Sequence, residues 1–185
     1  QYADFAAWQR HYLSGEVLDR EFAYWRKQLG EQLPVLELPS DRPRPSAPSF
    51  DGATRPLSLS PDLSFKVRQL ARQEQVTQFV VLLAAYNVLL SRYCRQEEVA
   101  VGTGVANRTR RQLENLIGFF TNTLVLRTDL SGDPSFREAI QRTQRVSLDA
   151  HDLQHPIDLA ELLLLSGNRL GLPQRRQFPS ELVGA

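Results

Sequence analysis

The stretch LIGFFTNTLVLR, Leu116 to Arg127, decides how the rest of the chain is read. Leu116, Ile117, Phe119 and Phe120 lead into Thr121-Asn122-Thr123, after which apolar residues continue. Alternation at period two predicts a strand with Leu124 and Leu126 on one face and Val125 and Arg127 on the other. A small amide and two hydroxyls therefore stand where the chain enters a core strand. Either Asn122 satisfies a backbone group at the strand end, or it faces something that needs a polar contact. Both readings are open at this point.

Working outward, EVAVGTGVA reads as a short strand breaking at its glycines, and Arg111 to Leu116 as a brief helical stretch. Before them, TQFVVLLAAYNVLLSRY, Thr77 to Tyr93, is apolar nearly all round, which predicts a helix buried on several sides. Ser60-Pro61-Asp62 supplies a cap, a first-turn proline and an early acid for a helix whose buried stripe is Leu63, Val67, Leu70 and Ala71. Seven of the eleven prolines fall between 34 and 61, so that segment is an extended connector. Its last part, ATRPLSLS, alternates weakly and predicts an edge strand. Two helices come first, one on Phe5, Trp8 and Tyr12, the next on Leu18, Phe22, Trp25 and Leu29 with Gly30 to end it. Downstream, Asp133-Pro134 starts a helix with Phe136, Ile140, Thr143 and Ala150 on one side. Pro156 interrupts it, IDLAELLLLSG is a last helical run, and the remainder loses periodicity. Alternating helices and strands predict an α/β layer.

The totals restrict function. A chain of 185 residues buries roughly 70% of its unfolded surface. With a net charge of +1, no overall field argues for nucleic acid or a membrane as partner. No apolar run reaches the roughly 20 residues of a membrane span. The start, QYADFAAWQRHY, lacks the basic and apolar regions of an export signal, and one cysteine requires no oxidising compartment, so a cytoplasmic location is expected. The chain has no methionine, even at position 1, which leads to the expectation of a fragment or processed piece.

Candidate chemistry is sparse. His151 and His155 are spaced i, i+4, but no glutamate forms an HExxH pattern and Pro156 follows, so no metal site is expected. His11 reads as solvated and Cys94 as a small hydrophobe. Gly102 and Gly104 form only a bare GxG, best explained by close backbone packing. Arg108, Arg110 and Arg111 cluster in NRTRRQ, either as a solvated loop or as forks for a phosphate or an acidic partner. No aromatic residues interleave them as single-stranded nucleic acid would require.

These stretches align with one family. YADFAAWQ, Tyr2 to Gln9, resembles the YxDFAxWQ signature of condensation domains of nonribosomal peptide synthetases. GTGVANRTRRQLENLIGFFTNTLVLR is similar to their GTPxANR…ELExLIGFFVNTLxLR stretch, with Gly104 in place of the usual proline and Thr121 of the usual valine. YWRKQL, LPVLELPSDRPRP and PSFREAIQRTQ fit the same order, and the similarity runs from residue 1 to about 150.

The resemblance implies a chloramphenicol-acetyltransferase-like α/β lobe, a mixed sheet with flanking helices, as in other CoA-dependent acyltransferases. Two such lobes form a V around a channel into which carrier proteins bring phosphopantetheine thioesters from opposite ends. An amine attacks a thioester, assisted by the second histidine of HHxxxDG. No two histidines are adjacent here, and the later (H/N)QDxPFE signature is degraded to DLQHPID, Asp152 to Asp158. The resemblance therefore implies residues 1–165 as the second lobe of a condensation domain, with connector 34–61, and residues 166–185 as a divergent, disordered tail. It assigns no catalytic residue and no metal. Gly118, Asn122 and Thr123 are its substrate-channel residues, and Tyr2, Asp4, Phe5, Trp8 and Gln9 tie the first helix into the lobe. Arg108, Arg110 and Arg111 become candidate carrier contacts. Partners would be the N-terminal lobe, peptidyl carrier proteins and an adjacent adenylation domain, with no nucleic acid and no membrane. No cofactor would bind directly. Alternatives are a non-catalytic carrier-binding module, or half of another carrier- or CoA-dependent acyltransferase.

Overall fold

The computed structural model describes residues 1–30, 35–41, 52–108 and 110–152. Among these, five helices and two strands run in the order α1 (Tyr2–Tyr12), α2 (Glu16–Leu29), α3 (Pro61–Gln73), α4 (Gln78–Cys94), β1 (Glu98–Val105), β2 (Asn122–Asp129) and α5 (Phe136–Asp152), with a 3-10 turn at Arg111–Leu113. The last helical run and the tail expected from the sequence lie outside the described residues.

Local chemistry sets the helix ends. The Ser60 hydroxyl accepts from the Leu63 amide at 3.2 Å, with Pro61 in the first turn of α3. Thr77 caps α4 in the same way through the Val80 amide at 3.3 Å. Gly30 ends α2 at φ 67°, where a Cβ would meet the Arg127 guanidinium at 2.7 Å, so both its conformation and its surroundings favour glycine.

β1 and β2 pair antiparallel, with Glu98 opposite Asp129 and Val105 opposite Asn122. The period-two pleat therefore puts Asn122, Leu124, Leu126 and Thr128 on one face with Val99, Val101, Thr103 and Val105. Helices α4 and α5 cover that face. Asn87 of α4 donates to the Thr128 hydroxyl at 3.1 Å, and Leu90, Val99, Leu130 and Ala139 form one buried cluster. Leu124 and Leu126 are buried in a second cluster with Leu83, Ala150, Trp25 and Leu29, which brings in α2. A third joins α3 to the layer through Ala71, Val80, Val81, Ala84 and Ile140. The other face of the ribbon carries Arg127, held by the Leu29 carbonyl at 2.7 Å and by Glu98 at 2.6 Å. The α/β assignment thus holds, as a small sheet with flanking helices.

Four local expectations are corrected. β1 does not break at its glycines but runs through Gly102 and Gly104 to Val105, because pairing to β2 continues across them. Residues 53–60 form no edge strand: they are exposed and have no partner strand among the described residues, and weak alternation does not make a strand without one. Leu63 on α3 and Phe136, the first residue of α5, are exposed rather than buried, since both stand in the first turns of helices that make contact further along. Finally, α4 buries one side only. Phe79, Leu82, Tyr86, Leu89 and Tyr93, at spacings of three and four, stay exposed on the side that α3, α5 and β1 leave open.

Candidate functional site

Two stretches more than a hundred residues apart in sequence meet in an aromatic corner. Tyr2, at the start of α1, donates its hydroxyl to the Phe119 carbonyl at 2.9 Å. Its ring stands edge-on to Phe120, centroids 5.1 Å apart at 84°. Gly118 lies directly beneath that ring, where a Cβ would fall 2.8 Å from the Tyr2 Cγ. Phe5 is buried against Phe120, 4.8 Å between centroids, and against Leu113. Trp8 stacks on Tyr12 at 5.1 Å and 19°, while Arg110 lies over its ring at 4.2 Å. Asp4 accepts from the Gln1 backbone nitrogen at 2.5 Å, a contact of the first helical turn. Gln9 is half-buried, and its carbonyl takes the Leu13 amide at 2.8 Å.

The three arginines divide. Arg108 sits 4.2 Å over the Phe120 ring and donates to the Leu113 carbonyl, so its guanidinium is engaged within the corner. Arg110 and Arg111 are exposed. An apolar-floored cleft of about 400 Å³ opens beside them, lined in part by Phe5, Trp8, Arg110 and Leu113.

At the start of β2 the expected channel residues separate. Asn122 and Thr123 are successive strand residues and project to opposite faces. Asn122 is half-buried on the helix-covered face, and its side-chain oxygen accepts the Thr123 amide at 2.9 Å. Thr123 is exposed on the other face, beside exposed Gly102 and Gly104. Gly118 belongs to neither: it is an exposed loop residue before β2, with the Tyr2 ring against the side where a Cβ would stand. The packing explanation for the GxG fails here. Among the described residues, a Cβ at Gly104 would meet nothing within 4 Å, and one at Gly102 would make only ordinary contact with Thr123 at 3.5 Å. Instead the two glycines leave the backbone of the ribbon uncovered on this face.

His11 and His151 are exposed on separate helices, and His155 lies outside the described residues. Cys94 is half-buried at the end of α4. Among the described residues no three His, Cys, Asp or Glu side chains are placed to hold a metal ion. No single helix among them is long and apolar enough to cross a membrane.

Sequence reasoning missed one titratable group. Glu21 on α2 is 1% exposed, and its Oε2 has no hydrogen-bond partner among the described residues. Burial pushes its carboxyl up to about 7, against a smaller lowering by Arg20. Burial also raises the nearby Tyr24 phenol to about 12, and Asp149 of α5 adds to that shift. A signal was present in the sequence: Glu21 stands three residues after Leu18 and four before Trp25, on the apolar stripe of α2 itself.

Comparison with known proteins places this arrangement. The family model for the condensation domain matches residues 1–165. A linear gramicidin synthase of Brevibacillus parabrevis is 50% identical over 151 residues, 82% of this chain and 3% of that protein. The crystal structure of the X-domain from teicoplanin biosynthesis superposes with a TM-score of 0.81 at 29% identity, over 89% of this chain and 38% of that one. A four-domain nonribosomal peptide synthetase, solved bound to AMP and glycine, gives 0.77 at 25% identity, over 88% of this chain and 12% of that one. The chain thus spans a few per cent of the length of its synthase relative and well under half of either solved chain. The YADFAAWQ and LIGFFTNT stretches that build the corner lie within the matched residues, and the chain belongs to the condensation-domain family of nonribosomal peptide synthetases.

Proposed function

We propose that the chain is the second lobe of a condensation domain. In complete form the domain would join two carrier-borne aminoacyl or peptidyl units. The acceptor amine attacks the donor thioester carbonyl, the C–N bond forms, the C–S bond breaks, and the donor arm leaves as a thiol. The single observation carrying this reading is the corner itself. The two stretches that resemble family signatures pack on each other, and the strand they launch begins with Asn122-Thr123. The chain contains no adjacent histidine pair, so the base or amine-positioning group would come from the other lobe, and the chain alone would not condense.

Within this reading the uncovered backbone at Gly102 and Gly104, beside exposed Thr123, suits an extended phosphopantetheine arm, which needs close approach to backbone without side-chain obstruction. Asn122 projects to the opposite, helix-covered face, where it would hold a carbonyl reaching the strand end, or only the Thr123 backbone amide whose hydrogen bond it already accepts. Exposed Arg110 and Arg111 are the remaining candidates for an acidic carrier surface. Carrier proteins and an adenylation domain would be the partners, phosphopantetheine would arrive on the carrier rather than as a bound cofactor, and the setting would be cytoplasmic.

The test is Asn122→Ala in the complete domain, with loaded donor and acceptor carriers and peptide release followed by mass spectrometry. The expected result is a rate lower by about a hundredfold to a thousandfold, the scale of one lost carbonyl-binding donor, with unchanged unfolding. A variant that unfolds instead assigns Asn122 to the strand end. A complete domain that makes no peptide at all removes the functional reading.

A further inference from the structure

We infer that Asn87 is a positioning residue for the reaction: its bond to Thr128 seats β2 beneath α4 in one register and so fixes where Asn122 stands. The inference rests on the function proposed above. Asn87 and Thr128 are each 0% exposed, and the Asn87 amide donates to the Thr128 hydroxyl at 3.1 Å. Around them the layer is aliphatic: Val80, Leu83, Ala84 and Leu90 are buried on α4, and Leu124 and Leu126 on β2. The other amide atom, Asn87 Oδ1, has no hydrogen-bond partner among the described residues. An amide buried with one atom unpaired adds little net stability, and an apolar pair of the same shape would fill the space as well. What the bond adds is direction, as a single buried asparagine does in fixing the register of packed helices.

The apolar pattern excludes a one-residue slip of β2, which would turn Asn122 to the other face and carry Arg127 into the layer. It does not exclude a slip of two. That shift keeps every face and brings Leu126 to the place of Leu124, which aliphatic packing tolerates; within the layer, the Thr128 bond is what it breaks. The long connection from Val105 to Asn122 is no tight hairpin and does not fix the strand either. Arg127 ties β2 to Glu98 of β1 and to the Leu29 carbonyl of α2, and Arg142 of α5 reaches the Asp129 carbonyl at the exposed end. Neither holds the strand to α4. Asn122 shares the covered face with Thr128, so a displacement at one end of β2 is carried along the strand to the other.

The test compares the complete domain, with loaded carriers, against its Thr128→Val and Thr128→Ser variants and against Thr128→Val combined with Asn87→Leu. Peptide release gives kcat and KM, urea gives stability, and amide exchange followed by mass spectrometry reads β2. The double variant is expected to keep the parent's urea midpoint and its KM for the acceptor carrier. Its kcat should fall by about tenfold to a hundredfold, the scale of a displacement near one ångström. Its β2 amides should exchange at least about tenfold faster. Thr128→Ser keeps the hydroxyl and should keep the parent's kcat, whereas Thr128→Val orphans the Asn87 amide and should lose both kcat and stability. A double variant with the parent's kcat or the parent's β2 exchange overturns the inference. So does one that unfolds, which would make the bond a stabiliser, and so does a Thr128→Ser variant as slow as Thr128→Val. If the parent domain itself makes no peptide, the function proposed above fails, while faster β2 exchange in the double variant still assigns the seating of the strand to Asn87.

Discussion

The aromatic corner and the aliphatic layer hold their parts of the molecule by different means. In the corner a few contacts are oriented: Tyr2 on Gly118 and Phe119, Arg108 over Phe120, Arg110 over Trp8. Much of it stays exposed, and the loop it fixes ends in bare apolar side chains. In the layer of α3, α4, α5 and the ribbon, Ala84, Val99, Ala139 and Ile140 are fully buried, and stability comes from filled volume. The difference teaches that a fold can keep its bulk in one place and its presented geometry in another. Substitutions in the two regions should therefore fail differently.

The largest effect belongs to the layer. Ile140→Ala should cost about 3–4 kcal/mol in urea unfolding, transfer plus cavity, while Trp8 fluorescence in the folded state stays as it was. Disturbance of the corner at the same time would show that the two regions are one unit.

Glu21, on the helix that packs along β2, should come next. Its folded pKa of about 7 lies above the ordinary 4.5, so the folded state keeps a proton that the unfolded chain releases. Stability is therefore full below pH 4.5 and falls as pH rises through 7. Glu21→Gln should flatten that slope and be more stable than the parent above pH 7 by about 2–3 kcal/mol. Parallel stability profiles for the two proteins between pH 5 and 8 would mean the carboxyl finds a partner.

Gly118→Ala should cost about 1–2 kcal/mol, the lower part of the range for an added methyl that forces a neighbouring ring to shift. Combining it with Tyr2→Ala should recover most of that loss, since the added methyl then meets no ring. Additive losses would mean that the corner is not locked by this contact. Arg110→Ala should have the smallest effect, about 0.5–1 kcal/mol for an exposed cation over an indole, visible as a shift of the Trp8 emission.

Patterns with a local cause were legible from the residues alone. The Ser60 and Thr77 caps, the Gly30 terminus, the period-two strand at Leu124–Leu126 and the order of the two signature stretches depend on neighbours within a few positions. Burial was less legible. The all-round apolarity of α4 states which sides need cover but not which neighbours provide it, and Leu63 and Phe136 stand too early in their helices to reach the core. Candidate site residues suffered more. Asn122, Thr123 and Gly118 are close in sequence, yet the pleat sends the first two to opposite faces and a tyrosine over a hundred residues away claims the third.

By itself the sequence determined the family, the α/β class and the start of most elements, because capping, periodicity and motif order are written in short runs. Only the tertiary structure decided that Tyr2 locks the loop at Gly118, that Gly102 and Gly104 leave backbone uncovered instead of making a packing contact, and that Glu21 is a buried carboxyl with an unsatisfied oxygen among the described residues. Those outcomes depend on which distant surfaces meet, and burial and steric contact exist only once they have met.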